Sequence, residues 1–378
     1  MIYFDAAATT MEKPATVRRA AVHAINGMSS PGRGDHPATR EAEETAFRCR
    51  TEAAELFGVE QPENVIFTFN ATHGLNVAIR SLVHPGSRVV ISGYEHNAVT
   101  RPLCAIDDVT VTVVDTPLFR QSLAKREFEA TMEKGCDVVI CNHVSNVFGC
   151  VQPLSDIAVS CRRCNVPLIV DASQSAGVLP VRMDELGAAF IAMPGHKGLY
   201  GPQGTGLLLC GMDAEPILYG GTGSASRLQE MPEDLPDRLE AGTHNMPGIA
   251  GLLEGIRFVR KLGLENIADH ERRLAARGAE RLEEIPGIRV YAAEDPEDQT
   301  GVLSFYAAGM DCSEIGRQLG RRGIAVRTGL HCAPLAHRTA GTLERGTVRI
   351  SFSAFNTLDQ VDQFADEMRK ILRENVTF

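Results

Sequence analysis

Lys197 stands in the segment Pro194-Gly195-His196-Lys197-Gly198, with Gly201-Pro202-Gln203-Gly204 just beyond it. A lysine wedged between glycines and a histidine differs from a solvated lysine on a helix face. Glycine permits tight backbone and close ligand approach, and an amine in a partly desolvated pocket has a lowered pKa and becomes nucleophilic. A plain loop lysine is the alternative. Upstream, the apolar run 167–170 ends in Asp171-Ala-Ser-Gln174, where a carboxylate could pair with a protonated ring nitrogen, although a capping Asp reads equally well there. Asn70-Ala71-Thr72-His73-Gly74 follows the apolar run 65–69 and leads into a helix, so backbone amides and the Thr72 hydroxyl offer a site for a phosphate, or Thr72 is simply a helix cap. These glycines fit neither G-x-x-x-x-G-K nor G-x-G-x-x-G, which argues against nucleoside triphosphates and dinucleotides. His96, in Gly93-Tyr94-Glu95-His96-Asn97, adds a planar imidazole that alone would read as structural.

These residues gain meaning from the elements that must carry them. From residue 64 to 210 short β-rich runs alternate with helix-period segments, the pattern of a mostly parallel sheet with helices on both faces. The runs 65–69, 88–92, 109–114, 137–141, 167–170, 190–193 and 206–209 read as strands. In such sheets ligands bind beyond the carboxyl ends of the strands. The phosphate loop, imidazole, carboxylate and lysine all follow strands of this one sheet. The segment 247–282 reads as one helix bridging to a second, smaller α+β unit, with strands at 288–291, 301–306 and 347–352 and helices at 312–322 and 358–375. The boundary is expected near residue 255, dividing the chain into a large domain of residues 15–255 and a small domain of residues 1–14 and 256–378.

Composition excludes several partners. At 378 residues the chain exceeds the roughly 250–300 at which a single core stops growing, so two domains are expected. Its net charge of -10 would repel a polyanion, and no apolar run reaches the roughly 18 residues that span a bilayer, so neither nucleic acid nor membrane is expected as a partner. Met1 leads into Ile-Tyr-Phe-Asp without a basic stretch and apolar core, which makes the cytoplasm the expectation. The 10 cysteines are scattered, and Cys161 and Cys164 read as two thiols on a helix; no metal site is expected.

Tyr3-Phe-Asp-Ala-Ala-Ala-Thr-Thr, Glu95-His96, Ser145-Asn-Val-Phe-Gly, Asp171-Ala-Ser-Gln, Gly195-His-Lys, Glu240-Ala-Gly-Thr and Arg327-Thr-Gly-Leu-His-Cys332, in this order, resemble the cysteine desulfurases of the class V aminotransferase family over essentially the whole chain. The resemblance implies an α/β fold of the type I aminotransferase kind, a homodimer, and pyridoxal 5'-phosphate as cofactor. It implies that Lys197 holds the cofactor as a Schiff base, Asp171 pairs with its ring nitrogen, Gln174 contacts the phenolic oxygen and His96 stacks on the ring. By the same token Thr72, the amide of His73 and the His196 side chain hold the phosphate, and Thr243 reaches the phosphate of the neighbouring subunit. Asn146 lies beside ring and substrate, and Arg349 clamps the substrate carboxylate. Cys332 becomes the nucleophile that takes sulfur from L-cysteine, its thiolate favoured by basic neighbours in Arg327-Thr-Gly-Leu-His331-Cys332.

The chain departs from the family at Pro194, where a serine hydroxyl is common, at Asn70-Ala71-Thr72, and at Leu330, where one branch has a histidine. Alternatives on the same scaffold are a selenocysteine lyase, a cysteine-sulfinate desulfinase, or another β-lyase, racemase or aminotransferase. A different class of reading is a cofactor-binding scaffold that only docks a sulfur- or selenium-acceptor protein. The joint presence of Lys197, Asp171, His96, Arg349 and Cys332 opposes it, because a binding module needs no acid-base set and no nucleophile.

Overall fold

The runs predicted as strands between residues 65 and 210 pair into one seven-stranded sheet in a computed structural model that describes residues 1–375. Across the sheet the order is Val65–Thr68, Gly206–Cys210, Phe190–Pro194, Leu168–Asp171, Val138–Asn142, Arg88–Ser92 and Thr110–Val114. Gly206–Cys210 runs antiparallel to both neighbours, and the remaining pairs are parallel. The inner strands are buried at every position but Arg88, as Val-Val-Ile-Cys-Asn at 138–142 shows, because helices cover both faces. Ala71–Leu82 and Asn97–Cys104 cover one face, and Pro37–Phe57, Leu154–Cys164 and Met246–Leu262 cover the other. The order in which strands are added reverses at Arg88–Ser92, which is flanked by Thr110–Val114 on one side and Val138–Asn142 on the other. Such a switch point opens a crevice at the carboxyl ends of the strands. Predicted and observed strand ends agree to within a residue or so, and Asp171 proves to be the last residue of its strand.

The second unit is a four-stranded antiparallel sheet in the order Arg327–Gly329, Thr347–Ser351, Val302–Ala307 and Ile288–Tyr291. Helices Leu264–Glu283, Cys312–Arg321 and Leu358–Asn375 pack on it around Leu303, Phe305, Ile350 and Phe364. Phe4 joins this core, and Ile2–Tyr3 pairs in parallel with Ile324–Ala325, so the N-terminal segment belongs spatially with the C-terminal unit.

The helix expected over 247–282 is two helices, Met246–Leu262 and Leu264–Glu283. Gly263 divides them with φ +85°, a left-handed backbone that ends the first helix and that glycine adopts without strain. Residue 255 lies inside the first of these helices, and Ile256 packs in the core of the large sheet. Among the described residues no helix is long and apolar enough to cross a membrane.

Candidate active site

Beyond the strand ends lies a cavity of about 110 Å³ lined by Thr72, His96, Asn146, Asp171, Gln174, His196 and Lys197, with Asn70, Asn142, Ser173 and Pro194 among the remaining walls. Seven residues singled out in the sequence from five separate segments thus share one wall.

Lys197 rides on the turn between Phe190–Pro194 and Gly206–Cys210. That turn is closed by the Gly195 amide donating to the Thr205 carbonyl (2.8 Å) and the Gly201 amide donating to the Gly195 carbonyl (2.7 Å). Gly177, at φ +83°, lies with its backbone against that of Gly198, and a methyl group on either would strike the other segment's backbone. The glycines are therefore what let the lysine turn pack directly on the segment that follows Asp171. Burial lowers the Lys197 pKa to about 8, with Arg349 and Arg327 pushing the same way and Asp171 opposing.

Asp171 is buried, and its Oδ1 accepts from the Ser173 amide (2.9 Å), which fixes the carboxylate at the strand end. Glu95 lies near it in the interior. Its Oε1 accepts from the Ser92 hydroxyl (2.6 Å) and the Asn142 amide (2.7 Å), while its Oε2 is buried without a partner. Burial pushes the Glu95 pKa up to about 8, and Asp171 adds to the shift, so Glu95 is a neutral acid at neutral pH and adds no negative charge beside Asp171. The ring of His96 accepts from the Ala98 amide at Nδ1 (3.0 Å). Burial takes its pKa down to about 4, so the neutral ring carries its proton on Nε2. Gln174 donates to the Ala7 carbonyl (3.0 Å), tying the N-terminal segment over the cavity.

At the opposite end, Thr72 lies in the first turn of Ala71–Leu82. The helix cap is Asn70, whose Oδ1 accepts from the His73 amide at 3.0 Å. Two expectations change here: Thr72 is not the cap, and the His73 amide, expected to hold a phosphate, is engaged by Asn70. The side chain must turn away before that amide can meet another anion. The His73 ring stacks on Phe69 (4.8 Å) outside the cavity. His196 shares a hydrogen bond at Nδ1 with the Thr9 hydroxyl (3.0 Å), and its carbonyl accepts from the ammonium of Lys13 (2.9 Å). Its pKa falls to about 4 through burial, aided by Lys197 and Lys13.

Arg349 is fully buried on Thr347–Ser351. Its Nη2 pairs with Asp5 (2.6 Å), its Nη1 donates to the Asn146 carbonyl (2.8 Å), and its Nε has no partner. The expected carboxylate clamp is therefore already braced by Asp5, with its Nε left unpaired. Cys332 is exposed on the loop between Arg327–Gly329 and Pro334–Thr339. His331 and Cys332 both have left-handed φ, +53° and +57°. For non-glycine residues this costs roughly 1–2 kcal/mol each. The loop is pinned to the cavity walls through its carbonyls: Asn146 Nδ2 donates to His331 O (2.9 Å) and the Asn97 amide to Cys332 O (2.8 Å). The other nine cysteines include seven that are buried; Cys104 is exposed like Cys332 but lies on the helix Asn97–Cys104.

Thr243 lies outside the Lys197 cavity. It is exposed, lies 3.4 Å from Arg33, and lines a second cavity with Phe69, Glu240 and His244. Glu240 anchors that loop by a two-pronged pair with Arg50, at 2.5 and 2.8 Å. Cys161 and Cys164 sit on Leu154–Cys164 as expected, and among the described residues no cluster of His, Cys, Asp or Glu could hold a metal.

Arg327, expected as a basic neighbour of Cys332, has its Nη2 3.5 Å from Cys332 Sγ, whereas the roles of Asp5, which braces Arg349, and of the neutral acid Glu95 were missed from the sequence. Arg327 precedes Cys332 on the short strand Arg327–Gly329; Asp5 is distant in sequence from everything it serves.

Residues 2–364 match the family described as Aminotransferase class-V. A probable cysteine desulfurase of Mycolicibacterium paratuberculosis is 32% identical over 383 residues, which cover 98% of this chain and 55% of that protein, so the chain spans about half its length. The cysteine desulfurase of Cronobacter sakazakii is 30% identical over 389 residues, covering 99% and 94% of the two chains. Among solved structures, the apo form of a cysteine desulfurase from Thermococcus onnurineus NA1 superposes with a TM-score of 0.89 at 28% identity, covering 99% of this chain and 95% of that one.

Proposed function

The chain belongs to the class-V aminotransferase family, and from that premise we propose that it is a pyridoxal-phosphate-dependent cysteine desulfurase that converts L-cysteine to L-alanine and leaves the sulfur on Cys332. The observation that supports the reading most is the single cavity in which an amine, a buried carboxylate, a neutral imidazole and a helix N-terminus converge. The residues fit the cofactor. Asn146 Oδ1 is buried without a partner at the cavity wall, Asp171 suits a protonated ring nitrogen, and Thr72 and His196 suit a phosphate. When bound, pyridoxal phosphate supplies a ring that stores the electron pair released at the substrate α-carbon.

Lys197, with its pKa lowered to about 8, holds the cofactor and, once displaced by the substrate amine, takes the α-proton at Nζ. Asp171 keeps the ring nitrogen protonated. His96 offers a neutral face and a fixed tautomer, and Gln174 keeps one amide N–H for the phenolic oxygen while the other holds Ala7. Arg349, braced by Asp5, offers Nε to the substrate carboxylate. The Cys332 thiolate attacks the substrate sulfur: the new S–S bond forms as the Cβ–S bond breaks, and the electron pair leaves with the three-carbon fragment, which is protonated to alanine. Cysteine plus enzyme thiol gives alanine plus enzyme persulfide.

A homodimer belongs to the same reading, with Thr243 turned to the partner's phosphate; exposed Phe47, Phe69 and Tyr219 are rings that a second subunit would cover. So do a cytoplasmic location, a sulfur-acceptor protein, and a cofactor domain of residues 15–255 beside a small domain of residues 1–14 and 256–378, with Gly263 the nearest helix break to that boundary. The test is turnover by the purified, cofactor-loaded protein on L-cysteine, selenocysteine and cysteine sulfinate, with Cys332→Ala alongside. Alanine from cysteine that is lost in the variant is the expected result. Full activity of the variant on selenocysteine or sulfinate alone would favour a lyase or desulfinase, and keto-acid production would reject the reading.

A further inference from the structure

We infer that His337 and Thr342 are positioning residues for Cys332: with His331 they form a buried hydrogen-bond ladder that sets the sulfur against the Arg327 guanidinium. The inference rests on the reading of Cys332 as the sulfur acceptor.

The ladder joins Thr342 Oγ1 to His337 Nδ1 (2.7 Å), His337 Nε2 to His331 Nδ1 (3.3 Å), and His331 Nε2 to the Arg327 carbonyl (3.4 Å). Its direction follows from the fixed end. A carbonyl only accepts, so His331 Nε2 must carry a proton. His331 is buried against the charges of Arg349 and Arg327, and it stays neutral, so its Nδ1 is a bare acceptor. His337 must then donate from Nε2. Itself neutral through burial, it accepts at Nδ1 from the Thr342 hydroxyl. Every ring nitrogen is satisfied in this one arrangement. The two rings lie nearly parallel, 12° apart, and Phe148 packs against His337 at 5.8 Å.

The consequence for the sulfur comes from the backbone. With His331 and Cys332 both left-handed, neighbouring side chains turn opposite ways, the imidazole into the interior and the thiol out to the exposed face. Neither residue type favours that conformation, so the surroundings must impose it. The His331 ring is the interior anchor. Because the ladder ends on Arg327's own carbonyl, it fixes together the sulfur and the cation 3.5 Å from it. Removing the donor at His337 would leave His331 Nδ1 buried and unpaired and free both ends of the contact.

Four substitutions in the loaded enzyme test this. His337→Phe keeps a planar ring and Thr342→Val the side-chain shape while both remove hydrogen bonding; His337→Gln keeps an N–H near the Nε2 position, and Thr342→Ser keeps the hydroxyl. Phe and Val should slow sulfur transfer to Cys332 about tenfold at saturating cysteine, with KM and the cofactor absorbance unchanged. They should slow alkylation of Cys332 by iodoacetamide at neutral pH to a similar degree, and Gln and Ser should recover most of both rates. Wild-type rates in the Phe and Val variants, or equal losses in Phe and Gln, would overturn the ladder; if His337→Phe does not fold, the Thr342 pair decides alone. If wild-type enzyme carries its sulfur on another thiol, the functional reading fails instead, and the alkylation rates still test the ladder.

Discussion

Lys197 is fixed by covalent geometry and close packing: a glycine-rich turn between two sheet strands pressed on the segment after Asp171, in a cavity whose histidines are neutral through burial. Cys332 is held by the reverse strategy. It stands exposed on a left-handed loop whose shape depends on side-chain and backbone hydrogen bonds from Asn146, Asn97 and the His331–His337 pair. The first arrangement suits a group that must keep one position relative to a planar cofactor. The second suits a thiol that must meet substrate on one side and an acceptor on the other. Beside the seven-stranded sheet burial tunes protonation, whereas in the second unit it anchors the neighbours of a group left in solvent.

This contrast can be broken most severely at Lys197. Lys197→Ala should lower turnover at least about 10⁴-fold and abolish the visible absorbance of a lysine-bound cofactor, as removal of both the covalent anchor and the base requires; retention of either would disconnect the lysine from the cavity's chemistry. Next in size, Gly177→Ala should destabilise the fold by about 3 kcal/mol in denaturant titration, because its left-handed φ and the Gly198 backbone leave no room for a methyl group. An unchanged midpoint would mean that the lysine turn is not tightly packed. Capture of added pyridoxal phosphate by the apo protein needs the neutral amine. Its rate should climb about tenfold per pH unit as pH approaches 8 and level off above that, since the Lys197 pKa lies near 8 and not 10.5. A rise continuing to pH 10 would show that burial does not tune the amine. The smallest effect is expected at Glu95→Gln. Replacing an acid that is already neutral should change turnover less than about threefold, and a large loss would show that Glu95 acts as a charge.

Much of the sheet was legible in the sequence because its inner strands, buried on both faces, are unbroken apolar runs bounded by turn residues. The cavity was legible for the same reason, since residues just past those strands converge wherever the sheet forms. The continuous helix expected over 247–282 failed at Gly263, where a single glycine inside a helix-rich segment marked the break between two helices. The cap at Asn70 was missed because Thr72 has the same capping chemistry two positions later, and only the backbone decides which of them precedes the first turn. Asp5 with Arg349 and His331 with His337 lay beyond reach: the first pair is set by tertiary packing of the N-terminal segment, and the second by the left-handed backbone at His331 and Cys332 that turns the His331 ring inward to meet the helix carrying His337.

The proposed reaction requires that sulfur leave cysteine for the thiol at position 332. The loaded protein, given one equivalent of L-cysteine, quenched with an alkylating agent and digested, should show one added sulfur atom on the peptide carrying Cys332, with alanine released in equal amount. Sulfur on any other cysteine, or alanine released with free sulfide and an unmodified Cys332, would contradict it.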